Sequence, residues 1–172
     1  MRRVDEVLRH NEDCSGGYTM CSIYVMRHAL RPDGWSDLDC PISEEGKRQA
    51  RNIQWSCDVA VVSNLCRTKQ TLESSRVVVQ EKIIETDLCR EYMGGSRPDY
   101  TDTDLKQNGG KLKVETRQEF AERLQRFREF LADLATKHKS ILVVSHGVFI
   151  SALLSLQRGV YNCERFPYHA PH

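Results

Sequence analysis

Ser22-Ile23-Tyr24-Val25-Met26-Arg27-His28-Ala29 is a short apolar run that ends in a guanidinium and an imidazole. Runs of this length and composition read as buried strands, and α/β proteins place their chemistry at the carboxyl ends of such strands. The pattern recurs late in the chain, where Ile141-Leu142-Val143-Val144 leads into Ser145-His146-Gly147. Two strand-terminal histidines imply one shared site.

Further strands are predicted over residues 59–62, ending at Ser63-Asn64, and over 82–86, before Asp87. Helices fall between them. Ser43 reads as an N-cap, with Glu44 and Glu45 in the first turn of a helix reaching about Gln54. A second helix is expected over 66–79, with Leu65, Thr68, Leu72, Ser75 and Val79 on one face. Thr116 and Glu119 form a capping box, and Phe120, Leu124, Phe127, Leu131 and Leu134 follow at helical spacing. A last helix is expected over 148–156. This alternation of strand and helix predicts an α/β sandwich.

The 172 residues, 40% hydrophobic and 28% charged, fit one domain with an ordinary core. Residues 1–21 read as an N-terminal leader with a helical turn at 4–8, residues 22–157 as the catalytic body and 158–172 as an irregular tail. The glycines and proline of 92–113 give that stretch loop composition, and its length suits a flap facing substrate. With 25 basic and 24 acidic residues, the overall charge offers nothing to nucleic acid or to a membrane surface. No window is long and apolar enough for a membrane span, and the first residues lack the hydrophobic centre of a secretory signal, so a cytoplasmic or nuclear location is expected. Seven cysteines without Cys-x-x-Cys or paired Cys/His spacing argue for reduced thiols rather than disulfides or a zinc site.

Arginine offers a planar fork of donors that fits phosphate oxygens, and Arg27, Arg31 and Arg67 stand where three guanidinia can converge. Arg67 follows the 59–62 strand closely, so the amino end of the next helix would add backbone donors. Arg90 and Arg97 are placed either to reach substrate or to face solvent. Cys21-x5-Arg27 matches the bare spacing of a cysteine-dependent phosphatase. Its intervening residues, however, are strand-like and lack the glycines that would wrap backbone amides around a phosphate.

Taken together, Arg27-His28-Ala29, Pro41-Ile42-Ser43-Glu44-Glu45-Gly46 with Gln49-Ala50, Ser63-x-x-x-Arg67-Thr68-x-Gln70-Thr71, Glu91 and Ser145-His146-Gly147 resemble the histidine phosphatase superfamily, also called phosphoglycerate mutase-like. The resemblance covers about residues 22–156 and implies a three-layer α/β/α sandwich around a mostly parallel sheet. It implies that His28 attacks phosphorus and carries a phosphohistidine, which water then hydrolyses. Arg27, Arg67 and His146 would bind the phosphoryl group, and His146 would stabilise its shifting charge. Glu91 matches the family's general acid, with Asp87, Asp99, Asp102 and Asp104 as alternatives in the same region. No metal or other cofactor is implied.

Ala29 stands where many members have glycine, and Arg27-His28-Ala29-x-Arg31 resembles the branch of the suppressor of T-cell receptor signalling phosphatases. In that branch the extra arginine lies at the phosphate, which adds Arg31 to the expected site. The chain is short for a mutase, so hydrolysis of phosphomonoesters is expected over isomerisation. The substrate would be a phosphorylated small molecule or a phosphoprotein. A catalytically inactive phosphate-binding scaffold is the alternative.

Overall fold

The computed structural model describes residues 20–33, 39–94 and 114–169. Its elements, in chain order, are β1 (Ser22–Arg27), α1 (Glu44–Arg51), β2 (Gln54–Ser63), α2 (Cys66–Ser74), β3 (Arg76–Thr86), α3 (Arg117–Ala135), β4 (Ser140–Ser145), α4 (Gly147–Leu153) and β5 (Arg165–Tyr168). The strands form one sheet in the order β3-β2-β4-β1-β5, parallel throughout except for β5, which runs antiparallel to β1.

Alternation along the central strands explains the layers. On β4, Ile141 and Val143 face one side with Phe127, Leu131 and Leu134 of α3 and Phe149, Ile150 and Leu153 of α4. Leu142 and Val144 face the other side, with Leu72 of α2, Met26 of β1 and Ala60 and Val62 of β2. Both faces are therefore covered, which is why β4 reads as an unbroken apolar run. Burial of each such Val, Leu or Ile side chain stabilises the fold by about 1.5–3 kcal/mol. The fold is thus the expected α/β/α arrangement.

Register sets the site. β1 and β4 pair from Ser22 with Ser140 to Arg27 with Ser145, so His28 and His146 emerge level with one another beyond the last rung. The loop after His28 is pinned from the side of α1. Leu30 O accepts from Ser43 N at 2.8 Å and from Ser43 Oγ at 3.1 Å, and the Ser43 hydroxyl also accepts from Gly46 N. A Cβ on Gly46 would lie 2.2 Å from Leu30 O, so only glycine lets α1 approach this closely.

Several element boundaries differ from expectation. The helix expected over 66–79 stops at Ser74, because the Ser75 hydroxyl donates to Leu72 O at 2.6 Å and accepts from Val77 N. Arg76-Val77-Val78-Val79 instead begins β3, where β-branched side chains suit a pleated surface better than a helix. β2 starts at Gln54, earlier than expected, which ends α1 at Arg51. α4 ends at Leu153 rather than Leu156.

The tail expected to be irregular supplies β5, which pairs with β1 from Ile23 with Tyr168 to Met26 with Arg165. Pro167 is tolerated there because β5 is an edge strand. The helical turn at 4–8, most of the 92–113 flap, Arg97, Asp99, Asp102 and Asp104 lie outside the described residues. Among those described, no helix is long and apolar enough to cross a membrane.

Candidate active site

His28 is buried, 3% exposed, and its ring lies 5.2 Å from that of His146, centroid to centroid, tilted by 60°. Its two nitrogens have different partners. Nδ1 lies 2.7 Å from Ala29 O, which can only accept, and Nε2 lies 3.2 Å from Arg67 Nε, which can only donate. These partners assign the proton to Nδ1 and the lone pair to Nε2.

The backbone around the ring is equally constrained. His28 N donates to Ser145 O at 2.9 Å, and His28 O accepts from Asn162 Nδ2 at 2.9 Å. Ala29 N donates to Thr71 Oγ1, which itself donates to Arg67 O. Thr71 therefore couples the histidine's loop to the arginine's helix.

Burial and then the charge of Arg67 push the His28 imidazole down to about 3, with lesser help from Arg27 and Arg31 and against the opposing pull of its bond to Ala29 O. The ring is unprotonated across the physiological range, as a nucleophile must be. Stability follows from the same shift. In the unfolded chain the imidazole takes up a proton near its ordinary 6.5, whereas folded His28 resists until about 3. Its contribution is complete above 6.5 and is lost as pH falls towards 3. Urea midpoints should accordingly fall over this window, and fall less steeply in His28→Ala; equal slopes for the two proteins would contradict the shift.

His146 is fully buried, and neither ring nitrogen has a hydrogen-bond partner among the described residues. Leaving a buried polar group unsatisfied costs about 1–3 kcal/mol, so such atoms concentrate where a ligand completes them. Burial chiefly, with Arg67, His28 and Arg27, holds this imidazole well below its ordinary value.

Arg67 sits in the first turn of α2, 5% exposed. Burial pushes its guanidinium down and the charge of Glu91 pulls it back up; the same two influences act on Arg27 in that order. Arg27 donates from Nη1 to Val160 O, while its buried Nε has no partner among the described residues. Gly147 lies beside it, since a Cβ there would stand 3.4 Å from Arg27 Nε. Arg31 is exposed, and its charge reaches His28, Arg27 and Arg67.

Glu91 is half-buried, with its carboxylate at the amino end of α4. Its Oε1 accepts from Phe149 N at 3.1 Å and Tyr92 N at 3.0 Å, and its Oε2 from Val148 N at 3.4 Å. The fold thus gathers His28, His146, Arg27, Arg67 and Glu91 around one point, with Arg31 at its exposed side. Asp87, the alternative carboxylate among the described residues, is exposed just beyond β3.

Other candidates have different surroundings. Arg90 does not face solvent: it is buried, with Nη2 3.1 Å from Glu115 Oε2. The Ser63 hydroxyl accepts from Leu65 N and bonds Asn64, which makes it a local cap. Burial and the charge of Asp58 raise the Cys21 thiol, which disfavours the thiolate that a cysteine nucleophile needs. Thr71 and Asn162 had no expected role. Thr71 lies within the pattern that includes Gln70, but Asn162 lies in a stretch with no periodicity to single it out.

The model of the histidine phosphatase superfamily (branch 1) matches residues 23–170. Among solved structures, the product of a Mycobacterium tuberculosis open reading frame is similar at TM-score 0.62 and 18% identity, covering 88% of this chain and 92% of that one. The alpha-ribazole phosphatase from Shigella flexneri matches at TM-score 0.60 and 18% identity, covering 85% and 89%. Mycobacterial glucosyl-3-phosphoglycerate phosphatase matches at TM-score 0.58 and 19% identity, covering 86% and 92%. No curated protein sequence matches the chain significantly.

Proposed function

The chain belongs to the histidine phosphatase superfamily, and from that premise we propose that it hydrolyses phosphomonoesters through a phosphohistidine on His28, without a metal ion. The observation that carries this reading is the buried His28 ring, neutral, fixed in one tautomer and with its Nε2 lone pair facing Arg67. A phosphoryl group entering between them draws the Arg67 donors onto its oxygens and leaves Nε2 free to attack phosphorus. Arg27 and Arg31 add positive charge, and His146, whose ring nitrogens have no partner among the described residues, offers its one N–H to an oxygen whose charge shifts as the ester bond breaks.

Glu91 delivers a proton to the departing alkoxide oxygen. Its carboxylate then takes a proton from the water that attacks the phosphohistidine, releasing inorganic phosphate and restoring His28. The carboxylate is held by backbone N–H groups of α4 and by Tyr92 N, so it is already oriented when substrate arrives. The similar structures named for small phosphate esters support a phosphorylated small molecule as substrate, while exposed Arg31 leaves room for a phosphorylated protein side chain.

The test is turnover of nitrophenyl phosphate in excess chelator, with alkaline quenching during the steady state. Turnover should persist, and the quenched protein should carry a phosphoryl adduct that is stable to base and labile to acid. Vanadate or phosphate binding with neither turnover nor adduct at any pH would point instead to a phosphate-binding scaffold.

A further inference from the structure

Glu91 is carried by an irregular stretch that follows β3, yet its approach is fastened more tightly than a loop requires. Three consecutive carbonyls before it are each held by a buried side chain. Arg123 Nη1 donates to Leu88 O at 2.9 Å and to Arg90 O at 3.0 Å, and Ser145 Oγ donates to Cys89 O at 2.7 Å. Beyond the acid, Met93 O accepts from Glu115 N at 3.1 Å.

The side chains that do this form one buried cluster. Arg123 is 2% exposed and Glu115 3%. Arg123 Nε donates to Glu115 Oε2 at 2.9 Å and its Nη2 to Glu115 Oε1, while Arg90 Nη2 reaches Oε2 from the other side. The Arg123 guanidinium also packs on the rings of Phe120 and Phe149, 5.0 and 5.5 Å from their centroids. Phe149 is the residue whose amide donates to Glu91 Oε1. One guanidinium thus touches the backbone leading into the acid and the residue that holds its carboxylate.

A buried ion pair is a costly way to stabilise a core, since apolar side chains of similar volume often do as well or better. What it adds is direction. We propose that Arg123 and Glu115 are positioning residues for proton transfer, fixing the Leu88–Met93 segment so that the Glu91 carboxylate stays aimed at the leaving oxygen. Lysine could keep the charge of Arg123 but could not hold two carbonyls and a carboxylate together. This inference rests on Glu91 being the general acid.

The experiment compares kcat/KM for nitrophenyl phosphate, whose leaving group departs unaided as a stable anion, with that for a simple alkyl phosphate, whose leaving group needs the proton. The ratio is taken within each sample of Arg123→Lys, Glu115→Gln and Glu91→Gln, so the fraction of folded enzyme cancels. Glu91→Gln should raise the aryl-to-alkyl ratio by about 10²-fold or more, the scale of general acid catalysis. Arg123→Lys and Glu115→Gln should raise it about 10-fold, a partial loss of the same effect. An unchanged ratio in both positioning variants, with a raised ratio in Glu91→Gln, overturns the positioning role alone. An unchanged ratio in Glu91→Gln overturns the assignment of the acid.

Discussion

His28→Ala removes turnover of nitrophenyl phosphate by on the order of 10⁴-fold or more, the scale seen when a covalent nucleophile is deleted. The loss is chemical and not a loss of fold. The sheet in this region is held by the ladder between β1 and β4 and by the apolar side chains on its two faces, none of which is the imidazole. The backbone bonds from His28 N to Ser145 O and from Asn162 to His28 O need no side chain at residue 28. The variant should therefore keep the wild-type circular dichroism spectrum and still bind vanadate through Arg27, Arg67 and His146. Steady-state assays at matched concentrations of vanadate-binding sites check the rate, and wild-type turnover in the alanine variant would end the assignment of His28.

Arg67→Ala is expected to cost about 10³-fold in kcat/KM, the low end of what an arginine contributes to phosphoryl transfer. Two effects act together. The phosphoryl oxygens lose a buried, pre-placed donor, and Nε2 of His28 loses the N–H that now faces it. The second effect has a signature of its own. Arg67 is the largest of the charges that depress the His28 imidazole, so removing it lets the pKa rise from about 3, while burial, the larger cause, keeps it below 6.5. The acid limb of the pH profile of kcat/KM should move upward towards neutrality. Arg67→Lys keeps the charge but not the planar fork, so it should restore the position of the limb better than it restores the rate. A full rate with an unmoved acid limb in Arg67→Ala would show that this arginine touches neither the ring nor the phosphate.

Much of the candidate site was legible because it lies at strand ends. Arg27-His28 and Ser145-His146 each follow an apolar run, and parallel pairing of those runs is enough to bring the histidines level. Ser43 and the Thr116–Glu119 capping box were legible because capping is local chemistry, and both caps are present. β3 was obscured because Leu65, Leu72 and Val79 also fit helical spacing; the chain leaves the helix at Ser75, and only then do the valines find a neighbouring strand.

The charged cluster was hidden for a different reason. Arg123 lies one position before Leu124, between Phe120 and Phe127, so helical spacing alone puts it on the buried face of α3. A general expectation that charge faces solvent works against that reading. Glu115 and Arg90 are its partners only through the fold, since they are distant from one another in sequence. β5 was obscured by its brevity and by Pro167, features that an edge strand permits.

The antiparallel return of β5 onto β1 has a consequence for the order in which the enzyme is built. The bonds from Asn162 to His28 and from Arg27 to Val160 join residues 134 and 133 positions apart. Contacts of such separation form late, because the intervening loop must close first, and during synthesis they must wait until the distal partner has left the ribosome. β2, α2 and β3 are contiguous in the chain and can assemble early, but β1, which leads into His28, has its partners, β4 and β5, far along the chain from it. A partly folded chain can therefore bury much of its core before His28 and His146 are level, so the candidate site is completed only once β4 and β5 have docked on β1.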